Sequence, residues 1–334
     1  MISPDIPLAE LHRHLDGSTR LQTILELGLQ HNLPLPARTL EELRPFVQVS
    51  SPQPGVMAFI EKFKWMTGVL VDYDACRRIA YENVQDAWRE GIDYIELRYS
   101  PWFMAEAHHL QPEGVVEAVT EGIRAAERDH PIRVNQLGIL SRHYGPDIAM
   151  KELDAELALA HQFAGLDLAG DEAHFPGELF REHFRKARDA GWHITVHAGE
   201  AAGPRSIWQA VRELGAERIG HAVYAPEDPS LLDFLRENRI GIECNITSNV
   251  QTSTVADYPS HPMRLFMENN ILATINTDDP GISAIDLPYE YEVAAPRAGL
   301  SPAMIRQAQE NALTTAFLTE DEKAALRSKK SASA

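Results

Sequence analysis

Cysteine is nearly missing from this chain: Cys76 and Cys244 are its two examples in 334 residues. Two cysteines cannot build a disulfide framework, and their separation makes no CxxC zinc knuckle. A reducing, cytoplasmic setting is therefore expected. Basic residues are also scarce, 31 Lys and Arg against 49 Asp and Glu, for a net charge of −18. So acidic a surface repels phosphate backbones, which argues against nucleic acid and for a small neutral or weakly charged ligand. No apolar run is long enough to span a bilayer, so no membrane partner is expected. The opening segment, MISPDIPLAELHRH, has no basic stretch leading into an apolar one and does not read as a signal peptide. Also missing are GxGxxG, the Walker A loop, HExxH and GxSxG. The HxE…PCxxC pattern of enzymes that act on flipped bases is excluded with the cysteines.

What the chain does have is apolar content, 44%, enough for a large core. Eight short apolar runs read as strands: 8–12, 94–99, 134–140, 165–168, 194–197, 218–221, 241–245 and 272–276. Several are almost continuously apolar, as strands covered on both faces are. Amphipathic segments lie between them, such as 177–190, which carries a charged face and stops at Gly191. Strand–helix alternation implies parallel pairing with right-handed crossovers. Eight such units predict a closed (β/α)8 TIM barrel, with a doubly wound open sheet as the other arrangement. Residues 13–93 separate the first two strands; a whole strand–helix–strand unit needs roughly 30 residues. The surplus predicts extra helices, an insertion at about 20–90. There Phe59, Phe63 and Met66 share a helical face, either as core or as an apolar wall over a site. With no linker in view, residues 1–327 read as one barrel domain, and 328–334 (SKKSASA) as a disordered tail.

The polar residues cluster at strand ends. The first strand ends in HRHLDG, the fifth in HAGE, the sixth in GHA and the eighth in NTDDP. In an α/β barrel the C-terminal strand ends are where reactive groups gather. His12 and His14 are two apart, so a strand puts both on one face. His197 and Asp278 complete a set of three nitrogens and one oxygen, which suits zinc with a position left for water; iron, cobalt and manganese accept similar donors. His193 serves as a control: four residues before His197, it lies ~13 Å down the strand and should miss the metal. His108, His109, His161 and His174 fall in helices or loops and are read as ordinary histidines. Glu200 follows Gly199 in a tight turn near the metal water. These parts suit hydrolysis at an aromatic C–NH2 carbon, where zinc lowers the pKa of water to ~7 and a glutamic acid protonates the adjacent ring nitrogen. His221 is placed to orient the nucleophile and stabilise developing charge. Asp279 is placed to share a hydrogen bond with a ring nitrogen.

Together HRHLDG, HAGE, IGHA and NTDDP, with ELRYSP, SRH, LDLAGDE and TSNVQTSTV between them, resemble the adenosine deaminase family of metal-dependent hydrolases, most nearly its bacterial members. The resemblance runs from about Pro7 to Leu326. It implies one zinc ion per subunit on His12, His14, His197 and Asp278. It implies that Glu200 protonates purine N1, His221 assists attack at C6, Asp279 bonds N7 and the Gly170 N–H meets N3. It implies that Asp16 holds the ribose 5′-hydroxyl, with His14 also bordering the substrate. Adenosine and 2′-deoxyadenosine would then give inosine and 2′-deoxyinosine plus ammonia. Adenine-specific relatives carry LEG where this chain has Leu15-Asp16-Gly17, and the longer carboxylate would crowd a sugar. Two departures leave the purine open: Ala222 stands where the family usually has glycine, and Asn245 where it often has cysteine. The alternatives are adenine, a 5′-modified nucleoside such as aminodeoxyfutalosine, or an inactive nucleoside-binding relative. The intact ligand set and Glu200 oppose the last.

Overall fold

The computed structural model describes residues 1–333. Its eight strands are β1 (Ala9–His14), β2 (Tyr94–Tyr99), β3 (Arg133–Ser141), β4 (Phe163–Ala169), β5 (His193–Ala198), β6 (Arg218–His221), β7 (Gly241–Cys244) and β8 (Leu272–Ile275). They lie in sequence order, and every neighbouring pair is parallel. This is the (β/α)8 barrel the alternation predicted. β1 is longer than its apolar run because His12, Arg13 and His14 continue the strand. All six of its residues are buried.

Two seams are held partly by side chains. β8 meets β1 through an isolated bridge between Arg13 and Asp278, with Asp278 N donating to His12 O (2.9 Å) and His14 N donating to Asp278 O (2.8 Å). Below it, the Asn276 carboxamide accepts from Leu11 N (3.0 Å), and Glu10 accepts from Thr277 N (2.8 Å). β4 and β5 pair only at Gly165–His193 and Leu166–Ile194. Beyond that, the Asp167 side chain fills the gap and accepts from His197 N (3.2 Å). Both irregular seams therefore deliver residues to the barrel mouth.

Five helices fill the interval after β1: α1 (Leu21–Gln30), α2 (Leu40–Val47), α3 (Val56–Ile60), α4 (Phe63–Thr67) and α5 (Tyr73–Arg89). The Thr39 and Asp72 side chains cap α2 and α5. After β2 come α6 (Pro101–Glu106) and α7 (Pro112–Asp129), and after β3 comes α8 (Pro146–Ala158). α5 and α7 pack on the outside of the barrel, burying Ile79, Val84, Val119 and Ile123 between helix and sheet. The expected disordered tail is corrected: residues 328–333 continue a helix, Glu320–Ser333, and Lys330 pairs with Asp93 at 2.7 Å. Ala334 lies outside the described residues. Among the described residues no helix is long and apolar enough to cross a membrane.

Candidate active site

Four of the predicted residues converge at the barrel mouth. His12 Nε2 lies 3.0 Å from Asp278 Oδ1 and makes no hydrogen bond among the described residues. His14 Nε2 lies 3.3 Å from the same oxygen and 3.2 Å from His197 Nε2. The outer nitrogens are held apart from this centre by carboxylates: His12 Nδ1 by Glu243 (2.7 Å) and His197 Nδ1 by Asp167 (2.9 Å), while His14 Nδ1 faces Asp16 at 3.7 Å. A carboxylate on Nδ1 fixes the proton there and leaves the Nε2 lone pair pointing inward. His14 Nε2 and His197 Nε2, 3.2 Å apart, share a gap that one proton or one cation can fill. Burial pushes His197 down to about 3, so its imidazole stays neutral, as a metal ligand must be. Burial works against charge on Asp278, yet His221 and the imidazoles of His12 and His14 close beside it hold its carboxyl well below the usual range. The donor set fits a divalent cation.

The ligating atoms fall into two overlapping groups, His12 with His197, His221 and Asp278, and His14 with Asp278 and Asp279. His221, expected to act on the nucleophile, thus borders the same cluster; its Nε2 is 3.9 Å from Asp278 Oδ2. The Asn249 amide lies 2.9 Å from His221 Nδ1, which makes that nitrogen an acceptor and puts the proton on Nε2. Glu200 is off the cluster, 3.6 Å from His221 Nδ1. Burial, with the charges of Asp278 and Glu172, pushes its carboxyl up to about 8. Burial and Asp278 likewise raise Asp279 well above the ordinary range, and its Oδ1 has no hydrogen-bond partner among the described residues. Asp279 presses on Gly17, where a Cβ would come 1.7 Å from Oδ1, so only glycine fits there. His193 behaves as the control predicted: half-exposed at the other end, it pairs with Glu217 and stacks on Phe317.

A cleft opens on this cluster. His14, Asp16, Gly170, Glu200, His221 and Asp279 all line it. Gly170 sits at φ +106°, a conformation other residues rarely adopt. Phe59 and Phe63 form part of its apolar wall, whereas Met66 packs into the core. The two alternatives for that helical face are therefore both realised, and the division falls within α4, between Phe63 and Met66.

The adenosine deaminase sequence profile matches residues 7–332. The chain belongs to the adenosine deaminase family. A curated adenosine deaminase from Klebsiella pneumoniae is 58% identical over 326 residues, 98% of each chain. One from Escherichia coli O1:K1 is 57% identical over 329 residues, 98% of this chain and 99% of that one. Among solved structures, a zinc-bound amidohydrolase from Burkholderia ambifaria superposes with TM-score 0.90 at 27% identity, covering 99% of this chain and 91% of that one.

Within this family site, several residues that work on the cluster were not singled out from sequence. Besides Glu243 and Asp167, Ser248 donates to Asp278 Oδ2 (2.6 Å) and Asn249 holds His221. Glu172 accepts four successive N–H groups, from Gly199 (2.6 Å), Glu200 (3.0 Å), Ala201 (2.7 Å) and Ala202 (3.0 Å), and so fixes the turn that carries Glu200. Buried Arg142 donates to the carbonyls of Leu168 (2.8 Å) and His197 (2.6 Å). The segments LDLAGDE, SRH and TSNVQ contained all of these except Glu243. Of the two departures, Ala222 keeps a left-handed backbone (φ +53°) with its methyl buried. Asn245 is buried with its amide 3.4 Å from both His221 ring nitrogens, behind the ring and away from the cleft.

Proposed function

We propose that this protein hydrolytically deaminates adenosine and 2′-deoxyadenosine, releasing ammonia and leaving inosine or 2′-deoxyinosine. The observation that carries the reading is one cleft holding both a metal-competent His/Asp cluster and an uncharged, buried Glu200 carboxyl. The 57–58% identity to adenosine deaminases over nearly the whole chain narrows the substrate class.

His12, His14, His197 and Asp278 would hold one zinc ion per subunit. Bound there, zinc would supply a nucleophile at neutral pH by lowering the pKa of water to ~7. Every other part is the chain's own. Glu200, fixed by Glu172, gives a proton to purine N1, which breaks the ring's aromaticity as C6 is attacked. His221 directs its Nε2 proton toward the attacking oxygen. Asp279, raised by burial and by Asp278, presents its protonated carboxyl to N7. The Gly170 N–H meets N3, and the free Oδ1 of Asp16 accepts from the ribose 5′-hydroxyl. Water's oxygen stays on C6, one of its protons passes to the leaving nitrogen, which departs as ammonia when the C6–N bond breaks, and the other restores the Glu200 carboxyl.

The test is a spectrophotometric panel of adenosine, 2′-deoxyadenosine, adenine and 5′-modified adenine nucleosides, with metal analysis of the same preparation. Adenosine and 2′-deoxyadenosine should be turned over fastest by protein carrying zinc. A much higher kcat/KM for free adenine or for a 5′-modified nucleoside would overturn the substrate; full activity without bound metal would overturn the mechanism.

A further inference from the structure

Glu152 is a fully buried carboxylate on α8, outside the cleft lining and without an ion-pair partner among the described residues. Burial pushes its carboxyl up to about 7 even against three hydrogen bonds. A buried carboxylate without a cation is costly to keep, so what it holds matters. Its Oε2 accepts from Ser141 N at the end of β3 (2.9 Å). Its Oε1 accepts from Trp102 N in the first turn of α6 (3.3 Å) and from the Ser100 hydroxyl at the end of β2. The Ser100 hydroxyl also accepts from Ser141 Oγ (2.9 Å) and Phe103 N (3.0 Å). One donation and two acceptances exhaust a hydroxyl, so Ser100 is locked and has nothing left for a ligand. Its backbone N–H donates to Asp16 Oδ2 (3.2 Å). That leaves Oδ1 of Asp16 as the free acceptor.

We propose that Glu152 is a positioning residue for the sugar end of the cleft: through Ser100 it aims the Asp16 carboxylate and so sets the preference for a free 5′-hydroxyl. The proposal rests on the role given to Asp16 above. Glu152 clamps the ends of β2 and β3 at once, and Asp16 leans on the first of them. The base end of the cleft is held separately, by Glu172, Glu243 and Asp167, so the two ends can be perturbed one at a time.

The experiment compares kcat and KM for adenosine and 5′-deoxyadenosine in the zinc-loaded wild type and in Glu152→Gln. A hydrogen bond to a charged group predicts that the wild type prefers adenosine by roughly 10- to 100-fold. Glutamine keeps the shape but turns an NH2 group toward backbone donors. The preference should therefore shrink several-fold, through KM for adenosine, while kinetics on 5′-deoxyadenosine hold. In an Asp16→Asn background the same change should alter the preference no further. Should Glu152→Gln fold poorly, Ser141→Ala, which removes only the bridge to Ser100, should shift the preference in the same direction. Equal losses on both substrates would reduce Glu152 to a structural role and overturn the proposal. So would an unchanged preference in the variant that folds. A wild type indifferent to the 5′-hydroxyl would overturn the Asp16 assignment along with it, whereas failure to deaminate adenosine at all would overturn the function itself.

Discussion

The floor and the mouth of this barrel are both crowded with buried charge, but only the floor is settled within the chain. On the floor, Arg98 pairs with Asp167 (2.6 Å) and Glu243 (2.9 Å), and Arg218 pairs with Glu243 (2.6 Å) and with Glu96. All five side chains are essentially inaccessible. At the mouth, a few ångströms above, Asp278, Asp279, Glu200 and Asp16 gather around four imidazoles, and no lysine or arginine lines the cleft among the described residues. Orphaned atoms occur there too: His12 Nε2, Asp279 Oδ1 and Asp16 Oδ1. Buried polar groups without partners are rare in native proteins and call for an explanation. Under the proposed function, a cation and the polar atoms of a substrate would supply the missing partners. On the floor arginines meet the carboxylates, whereas at the mouth the carboxyls face a cleft that no arginine or lysine lines among the described residues.

The comparison can be broken first at the mouth, where the effect on rate is largest. Glu200→Gln removes the proposed acid while leaving the cluster intact. We expect kcat to fall about 10²- to 10⁴-fold with metal content unchanged. The alkaline limb of the pH profile should vanish as well, because the rate that falls when Glu200 loses its proton on raising the pH no longer has that proton to lose. An unchanged kcat would mean that the mouth's uncompensated carboxyls are not chemical.

On the floor the expected loss is in stability. Arg98→Met takes from Asp167 its arginine and leaves Glu243 with Arg218 alone, and breaking a buried pair this way costs about 3–5 kcal/mol. Urea unfolding of the metal-free protein measures it. A loss under about 1 kcal/mol, the worth of an exposed pair, would show that the floor network is not holding the barrel. Ser248→Ala makes the matching change at the mouth, deleting the donor to Asp278 Oδ2. Losing such an outer partner should weaken metal binding about 10- to 100-fold, read by chelator competition, with little change in urea midpoint. If both variants altered stability equally, floor and mouth would be one structural unit.

The same contrast explains what the sequence made legible. Strands stood out as apolar runs because both of their faces are covered. The proposed ligands stood out because histidine and aspartate interrupt those runs at their ends. The paired charges inside strands, Glu96, Arg98, Asp167 and Glu243, did not stand out, since whether such a residue faces the barrel axis is set by register and partner strand. Glu172, Ser248 and Asn249 lie after strand ends, in positions where polar residues are ordinary, and their roles depend on which neighbouring loop they reach. The helix of residues 328–333 was hidden for a related reason: SKKSASA has no apolar stripe, and contacts such as Lys330 with Asp93 hold it down.

The smallest expected effect concerns Ala222, the departure that left the purine in doubt. His221, Ala222 and Asp278 all have positive φ, 67°, 53° and 69°, so backbone strain gathers at the mouth. A non-glycine residue in that region costs about 1–2 kcal/mol, and the family's usual glycine would avoid it. Ala222→Gly relieves that strain but gives back about 0.5–1 kcal/mol through the freer unfolded chain. The difference predicts a slightly more stable protein, by about 0.5–1 kcal/mol. The methyl points into the core and is absent from the cleft lining, and Ala222 N keeps its bond to Ala198 O at 3.2 Å. The substrate therefore never meets the side chain, and kcat/KM for adenosine should stay within about twofold, under half a kcal/mol. Thermal unfolding and the substrate panel, run on one preparation, check both halves. A tenfold change in substrate preference would mean that the alanine tunes His221 through the backbone, and that the mouth's strain, like its charge, serves the chemistry.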